Sequence, residues 1–143
     1  MAVVPLDTNV IFASASARDE YHDRAREIVQ AIDHGDLPDA IVTNYVVAET
    51  LNLAREKLGS DTASAVLDRL VEGAHFEIHH APKADFTAGQ ALFRQYSGLS
   101  FVDSTIAAFM DREDIEYLYS FDTDFDAIEG ITRLETAANP YDR

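Results

Sequence analysis

Apolar and polar positions along the chain form two patterns, short apolar runs and longer amphipathic stretches. The short runs predict β-strands, at residues 1–6, 40–42, 76–80, 117–121 and 130–134. Apolar positions spaced three and four apart predict helices, at residues 21–34, 45–58, 62–72, 83–96 and 101–111, with a further short helix after the first strand. Because strands alternate with helices, the pattern predicts an α/β fold with a largely parallel sheet and helices on both of its faces.

The length of 143 residues predicts a single domain. We place this domain at residues 1–136 and expect residues 137–143, which include Asn139-Pro140, to be an irregular tail. No apolar run approaches the length of a membrane span, and no charged segment precedes a hydrophobic one at the N-terminus. The chain has no cysteine, which excludes disulfides and thiolate metal sites. We therefore expect a cytoplasmic protein that does not contact a membrane.

The formal net charge of −15 comes from 26 acidic residues and 11 lysines and arginines, of which only Lys57 and Lys83 are lysines. Such a surface repels nucleic acid at low salt. One interpretation is simply an acidic, soluble protein. Another is a halophile-like surface adapted to high internal salt, where screening over about 3 Å at 1 M makes the self-repulsion tolerable. The scarcity of lysine favours the second interpretation.

Four acidic residues are the candidates for chemistry. Asp7 ends the first apolar run, Asp122 follows the run at 117–121, and Asp103 begins a helix. Glu49 lies within a helix among apolar neighbours, where a buried carboxylate needs a partner. Since sites in parallel sheets lie beyond the carboxyl ends of the strands, we expect these carboxylates to converge there.

A cluster of carboxylate oxygens is the ligand set that Mg²⁺ or Mn²⁺ prefers. A water bound to such a metal is acidic enough to attack a phosphodiester. Thr8, Asn9 and Ser120 are neighbours that can orient the carboxylates, although Thr8 and Asn9 also suit a helix cap. Taken singly, an Asp after a strand is usually a turn or cap residue, so the inference rests on the set.

The four acids occur in short motifs whose order resembles the PIN-domain family. They are Asp7-Thr8-Asn9, Ala48-Glu49, Phe101-Val102-Asp103 and Ser120-Phe121-Asp122-Thr123-Asp124-Phe125. Within that family the chain is most similar to VapC-type toxins of toxin–antitoxin pairs. The resemblance covers nearly the whole chain.

The resemblance implies a three-layer α/β/α sandwich around a mainly parallel sheet of about five strands. It also implies an endoribonuclease that depends on Mg²⁺ or Mn²⁺, cleaves single-stranded or structured RNA, forms a homodimer and is inhibited by an antitoxin protein. Matched by motif, Asp7, Glu49, Asp103 and Asp122 would be the catalytic and metal-binding acids. Asp124 or Asp126 would supply a fourth ligand or an outer contact.

Two alternatives to a toxin stay open. One is a housekeeping nuclease that processes ribosomal or transfer RNA precursors, which the absence of a neighbouring antitoxin-like gene would favour. The other is a non-catalytic binding module with the same fold, which a missing acid would favour. The sequence lacks none of the four acids, and this favours an enzyme.

Overall fold

Parallel β-strands form the centre of the fold in a computed structural model that describes residues 2–142. Within that part of the chain there are five strands: β1 (Val3–Pro5), β2 (Asp39–Thr43), β3 (Phe76–His79), β4 (Tyr117–Tyr119) and β5 (Thr132–Leu134). β1, β2 and β3 pair as one parallel sheet, and β4 pairs in parallel with β5. A single parallel bridge from Leu6 to Tyr119 joins the two sheets, which gives the spatial order β3-β2-β1-β4-β5.

Six α-helices accompany these strands within residues 2–142. They are α1 (Thr8–Ala15), α2 (His22–Asp33), α3 (Asn44–Leu58), α4 (Ser60–Glu72), α5 (Lys83–Gln95) and α6 (Phe101–Arg112). The connections from β1 to β2 and from β2 to β3 run in one direction across the sheet, and the connection from β3 to β4 runs back. Because parallel crossovers are right-handed, α1 to α4 cover one face of the sheet and α5 and α6 cover the other.

Helix α6 is the most deeply buried helix of the fold. Each of its residues from Asp103 to Met110 is buried, which fits a helix enclosed between the sheet and α5. Its helical pattern begins after Ser100, whose hydroxyl accepts a hydrogen bond from the backbone N–H of Asp103 at 3.1 Å. A serine at this position satisfies a donor that the first helical turn leaves free. The sequence thus fixes where α6 starts, and with it the position of Asp103.

The α/β class with a mainly parallel sheet is confirmed, although the sheet is divided into three and two strands. The strand predicted at 117–121 ends at Tyr119, and a 3₁₀ helix at Thr123–Ala127 was not predicted. Phe121 does not extend β4, because its backbone N–H donates a hydrogen bond to Oδ1 of Asn9 in α1 at 3.2 Å. Met1, in the first predicted strand, and Arg143, in the predicted tail, lie outside the described residues.

The segment after β5 folds back on the sheet, and residues 135–142 form turns rather than a helix or strand. The Tyr119 hydroxyl donates a hydrogen bond to the carbonyl of Ala138 at 2.7 Å, and the rings of Tyr117 and Tyr141 pack edge to face. None of the helices formed by residues 2–142 combines the length and apolar character needed to cross a bilayer.

Candidate functional site

Asp7 stands between β1 and α1, on the C-terminal side of the strand. It is the N-cap of α1: its Oδ1 accepts a hydrogen bond from the Thr8 backbone N–H at 2.8 Å. Its own backbone N–H donates to the carbonyl of Tyr119 at 3.1 Å, beside the bridge that joins the two sheets. The carboxylate is therefore held at the seam between the two sheets, with only 3% of the residue exposed.

Asp103 and Asp122 approach Asp7 from two other elements. Asp103 lies in the first turn of α6 and is 7% exposed. Asp122 follows β4, is half-buried, and caps the 3₁₀ helix through a hydrogen bond that its Oδ1 accepts from the Asp124 N–H at 2.9 Å. One carboxylate oxygen from each of the three residues lies within 4.8 Å of the others. We refer to Asp7, Asp103 and Asp122 as the carboxylate triad.

Ser120 and Asn9 connect two members of the carboxylate triad. The Ser120 hydroxyl donates to Asp7 Oδ2 at 2.7 Å and accepts a hydrogen bond from the Asp122 backbone N–H at 3.0 Å. Asn9 donates from Nδ2 to the same Asp7 oxygen at 3.1 Å, while its Oδ1 accepts from the Phe121 amide. Asn9 and Ser120, two of the three side chains predicted to orient the carboxylates, thus hold Asp7 and the segment that carries Asp122.

The carboxylate triad is electrostatically strained. Burial raises the pKa of Asp103 to about 8, and the nearby charges of Asp7 and Asp122 add to the shift. Burial also raises the pKa of Asp7 to about 6, against the hydrogen bonds from Ser120 and Thr8, which favour the ionised form. Both shifts follow from removing carboxylates from water and placing them near one another. Ionisation of Asp7 and Asp103 is therefore less favourable here than in water.

Glu49, the fourth predicted acid, lies outside the carboxylate triad. It occupies α3 and is exposed, so the apolar neighbours in its sequence do not enclose it. After burial and the charge of Asp122, the charge of Glu49 is a further, smaller cause of the raised pKa of Asp7.

The remaining predicted residues have different surroundings. Asp124 is exposed, and the charge of Asp122 raises its pKa. The Asp126 carboxylate forms a two-point ion pair with Arg133, at 3.0 and 3.2 Å. The Thr8 hydroxyl is buried and makes no hydrogen bond to any other residue in the range 2–142. Thr8 contacts Asp7 through its backbone N–H instead.

Two residues that organise this region were not singled out in the sequence. Ser100 caps α6, and the Ser-x-x-Asp spacing from Ser100 to Asp103 is a recognisable helix-start signal. Arg133 lies on β5 and contacts Asp126 together with the carbonyl of Ser120. No local signal marks Arg133, because its partners are brought to it by the fold.

The donor set of the carboxylate triad fits a hard divalent cation. All its donors are carboxylate oxygens, which Mg²⁺ and Mn²⁺ accept and which softer metals do not require. Burial raises the pKa values of Asp7 and Asp103, and repulsion from neighbouring carboxylates adds to both shifts. A cation would relieve this repulsion, so the residues present and the ion are chemically matched.

Comparison with known protein families identifies the fold. A family model described as the PIN domain matches residues 4–131. The chain belongs to the PIN-domain family. The resemblance to this family predicted from the motifs is confirmed, and solved structures similar to this PIN domain include a VapC toxin.

Solved structures similar to this PIN domain include toxins and toxin–antitoxin complexes. VapC20 of Mycobacterium tuberculosis, described as a toxin that cleaves the sarcin-ricin loop, shares 26% identity at a TM-score of 0.73, with 88% of this chain and 94% of VapC20 covered. A Klebsiella pneumoniae toxin–antitoxin complex matches at 21% identity and a TM-score of 0.64. The match covers 95% of this chain and 98% of the Klebsiella chain. VapBC2 of Rickettsia felis, bound to a DNA fragment from its promoter, shares 15% sequence identity at a TM-score of 0.67. This match covers 93% of this chain and 98% of the Rickettsia chain. The search of curated proteins gave no significant match.

Proposed function

We propose that this PIN domain is a metal-dependent endoribonuclease that acts as the toxin of a toxin–antitoxin pair. The observation that carries the proposal is the carboxylate triad, in which three oxygens from distant parts of the chain meet within 4.8 Å. Repulsion among buried carboxylates costs stability, and this cost is understandable if the site serves to bind a cation. The 26% identity with VapC20, a toxin that cleaves RNA of the sarcin-ricin loop, supports the choice of RNA as substrate.

Asp7, Asp103 and Asp122 would hold Mg²⁺ or Mn²⁺, and exposed Glu49 would lie at the edge where substrate and solvent enter. The bound cation would lower the pKa of water and stabilise charge on the phosphodiester oxygens. Ser120 and Asn9 fix the orientation of the Asp7 carboxylate through two hydrogen bonds to the same oxygen, Oδ2. The other oxygen, Oδ1, is already bonded to the Thr8 N–H at the start of α1.

The proposed partners are an antitoxin protein and a second copy of this chain. The toxin–antitoxin complexes that share this fold support an antitoxin. With a net charge of −15, the domain would attract an antitoxin segment rich in lysine and arginine. Exposed apolar side chains on α4 and α5 supply surface for protein contacts, at Leu67, Val71, Phe86 and Phe93.

The experiment that tests the proposal is cleavage of a mixed RNA pool by the purified protein with Mg²⁺, Mn²⁺ or EDTA, at low and high KCl. We expect cutting with either metal and none with EDTA. Asp7→Asn should abolish cutting, because the amide loses the charge that holds the cation. Asp68→Asn, an equivalent change at an exposed position of α4, should cut like the wild type.

Cleavage that persists in Asp7→Asn or in EDTA would refute the assignment of the carboxylate triad. A folded wild-type protein that cuts nothing under any of these conditions would favour the non-catalytic binding module instead. Cuts confined to precursors of ribosomal or transfer RNA would favour a processing nuclease over a toxin.

A further inference from the structure

Arg133 donates hydrogen bonds to three residues from its position in the middle of β5. Its Nε and Nη2 donate to the two oxygens of Asp126 at 3.0 and 3.2 Å. Its Nη1 donates to the carbonyl of Ser120 at 3.2 Å and to Glu135 at 3.0 Å. Only 12% of the Arg133 side chain is exposed, so the guanidinium is largely removed from solvent. The planar fork of arginine suits such a two-point contact with a carboxylate.

Both protein segments that Arg133 holds flank Asp122. Ser120 lies two residues before Asp122, and its hydroxyl bonds both Asp7 and the Asp122 amide. Asp126 lies in the 3₁₀ helix that Asp122 caps. Arg133 thus ties the residues on either side of Asp122 to β5, while it makes no hydrogen bond to the carboxylate triad itself. Displacement of this segment would move Asp122 relative to Asp7 and Asp103.

We infer that Arg133 is a positioning residue that sets the place of Asp122 within the carboxylate triad. The inference rests on the proposed function in that it takes the triad to be the cation site. If Arg133 positions Asp122, its presence strengthens cation binding. If Arg133 acted only through its charge, its presence would weaken cation binding, because like charges repel. Removing Arg133 therefore separates the two effects: loss of charge alone strengthens Mn²⁺ binding, whereas loss of position weakens it.

The test is Mn²⁺ affinity, measured by calorimetry on purified full-length protein without RNA. Arg133→Gln removes the charge and the fork, and Arg133→Lys keeps the charge but loses the two-point contact. We expect both variants to bind Mn²⁺ about 10–100-fold more weakly, the usual effect of losing a group that orients a metal ligand. Arg24→Gln is the matched control, since exposed Arg24 lies 3.7 Å from Glu135, a partner it shares with Arg133. This control loses the same charge but contacts neither Ser120 nor Asp126, so its affinity should be unchanged or higher.

A second measurement uses metal-free protein in EDTA and is independent of metal binding. Hydrogen exchange at the Asp122 amide should accelerate in both Arg133 variants, because its bond to the Ser120 hydroxyl depends on the held segment. If Arg133→Gln does not fold, Asp126→Asn breaks the same ion pair by changing its more exposed partner. This variant should also accelerate hydrogen exchange at the Asp122 amide.

The positioning role of Arg133 is overturned if folded Arg133 variants bind Mn²⁺ at least as tightly as the wild type, or if Asp122 exchange is unchanged. A wild-type protein that binds no Mn²⁺ would instead count against the proposed cation site. In that case the exchange measurement alone decides whether Arg133 positions Asp122, so the two failures are distinguishable.

Discussion

At the scale of single residues, the site is defined by acids placed where their charge is unfavourable. Asp103 is buried at the start of α6 with a pKa raised to about 8, and Asp7 is buried beside it with a pKa raised to about 6. Their ordinary pKa is 3.8. A raised pKa in the folded state means that the folded protein binds protons more tightly than the unfolded chain does. The stability that these groups contribute is therefore complete below about pH 4 and is lost as the pH rises toward 8.

The loss of stability with rising pH leads to a prediction for Asp103→Asn in the metal-free protein. The amide cannot ionise, so the variant should avoid the repulsion and be more stable than the wild type at pH 8, by about 1–3 kcal/mol. At pH 4, where the wild-type acid is protonated, the difference should largely vanish. Urea unfolding in EDTA across this pH range measures the effect, with Asp68→Asn as control. A variant that is less stable than the wild type at pH 8 would contradict the prediction.

The location of a single residue could be predicted from the sequence only where the residue lies at the end of a strand or the start of a helix. Asp7 and Asp122 could be predicted to converge because both follow strands of a parallel sheet, and Asp103 because it begins a helix. The exposure of Glu49 could not be predicted, since it depends on which face of α3 turns toward the sheet. The pairing of Asp126 with Arg133 joins two elements and has no signature in either one.

At the scale of elements, α5 and α6 form an antiparallel pair on one face of the sheet. Asp85 in the first turn of α5 is 1% exposed and forms a two-point ion pair with Arg112 at the end of α6, at 2.7 and 3.0 Å. The Arg112 guanidinium also lies over the ring of Phe109, with 5.8 Å between Cζ of Arg112 and the ring centroid. This pair holds the two helices at the ends remote from Asp103, which lies in the first turn of α6.

We predict that Arg112→Met destabilises the protein without weakening Mn²⁺ binding at the proposed cation site. The change leaves the Asp85 carboxylate buried without its partner, which should lower the free energy of unfolding by about 3 kcal/mol. The double variant Asp85→Leu with Arg112→Met removes the buried charge as well and should recover most of that loss. Urea unfolding measures both effects, and Mn²⁺ affinity of the folded variants should stay at the wild-type value. Equal stability of the single and double variants would rule out this explanation.

Element types were more predictable than element ends. Each α-helix within residues 2–142 has a counterpart among the predicted helices, because burial of one helix face favours a recognisable apolar spacing. The 3₁₀ helix at Thr123–Ala127 could not be inferred, since its single turn carries only one buried apolar residue, Phe125. Its formation depends on the Asp122 cap and on Arg133, and these contacts come from the assembled fold.

At the scale of the whole molecule, charge is the dominant property. The ion pairs formed by Arg24, Arg112 and Arg133 engage a small part of the 26 acidic residues, so most carboxylates repel one another across the surface. Screening by salt shortens the range of this repulsion from about 10 Å at 0.1 M to about 3 Å at 1 M. The folded state, which is compact, gains more from screening than the unfolded chain.

We therefore predict that the melting temperature rises between 0.1 M and 2 M KCl by several degrees, as expected for about 1–2 kcal/mol in a domain of this size. Sucrose at equal osmolality is the control, because it stabilises by exclusion without screening charge. A larger rise in KCl than in sucrose would support adaptation to high salt. An equal rise of the melting temperature in KCl and in sucrose would indicate an acidic protein without adaptation to high salt.

The single bridge between Leu6 and Tyr119 has a consequence for how the site comes into being during synthesis. The triad draws Asp7 from just after β1 and Asp122 from beyond that bridge, so a ribosome must translate the codon for Asp122 before the third carboxylate exists. A polypeptide stalled at any earlier point carries at most two of the three. In a protein whose proposed activity destroys RNA, the proposed catalytic centre thus cannot be complete until every residue from Asp7 to Asp122 has been made.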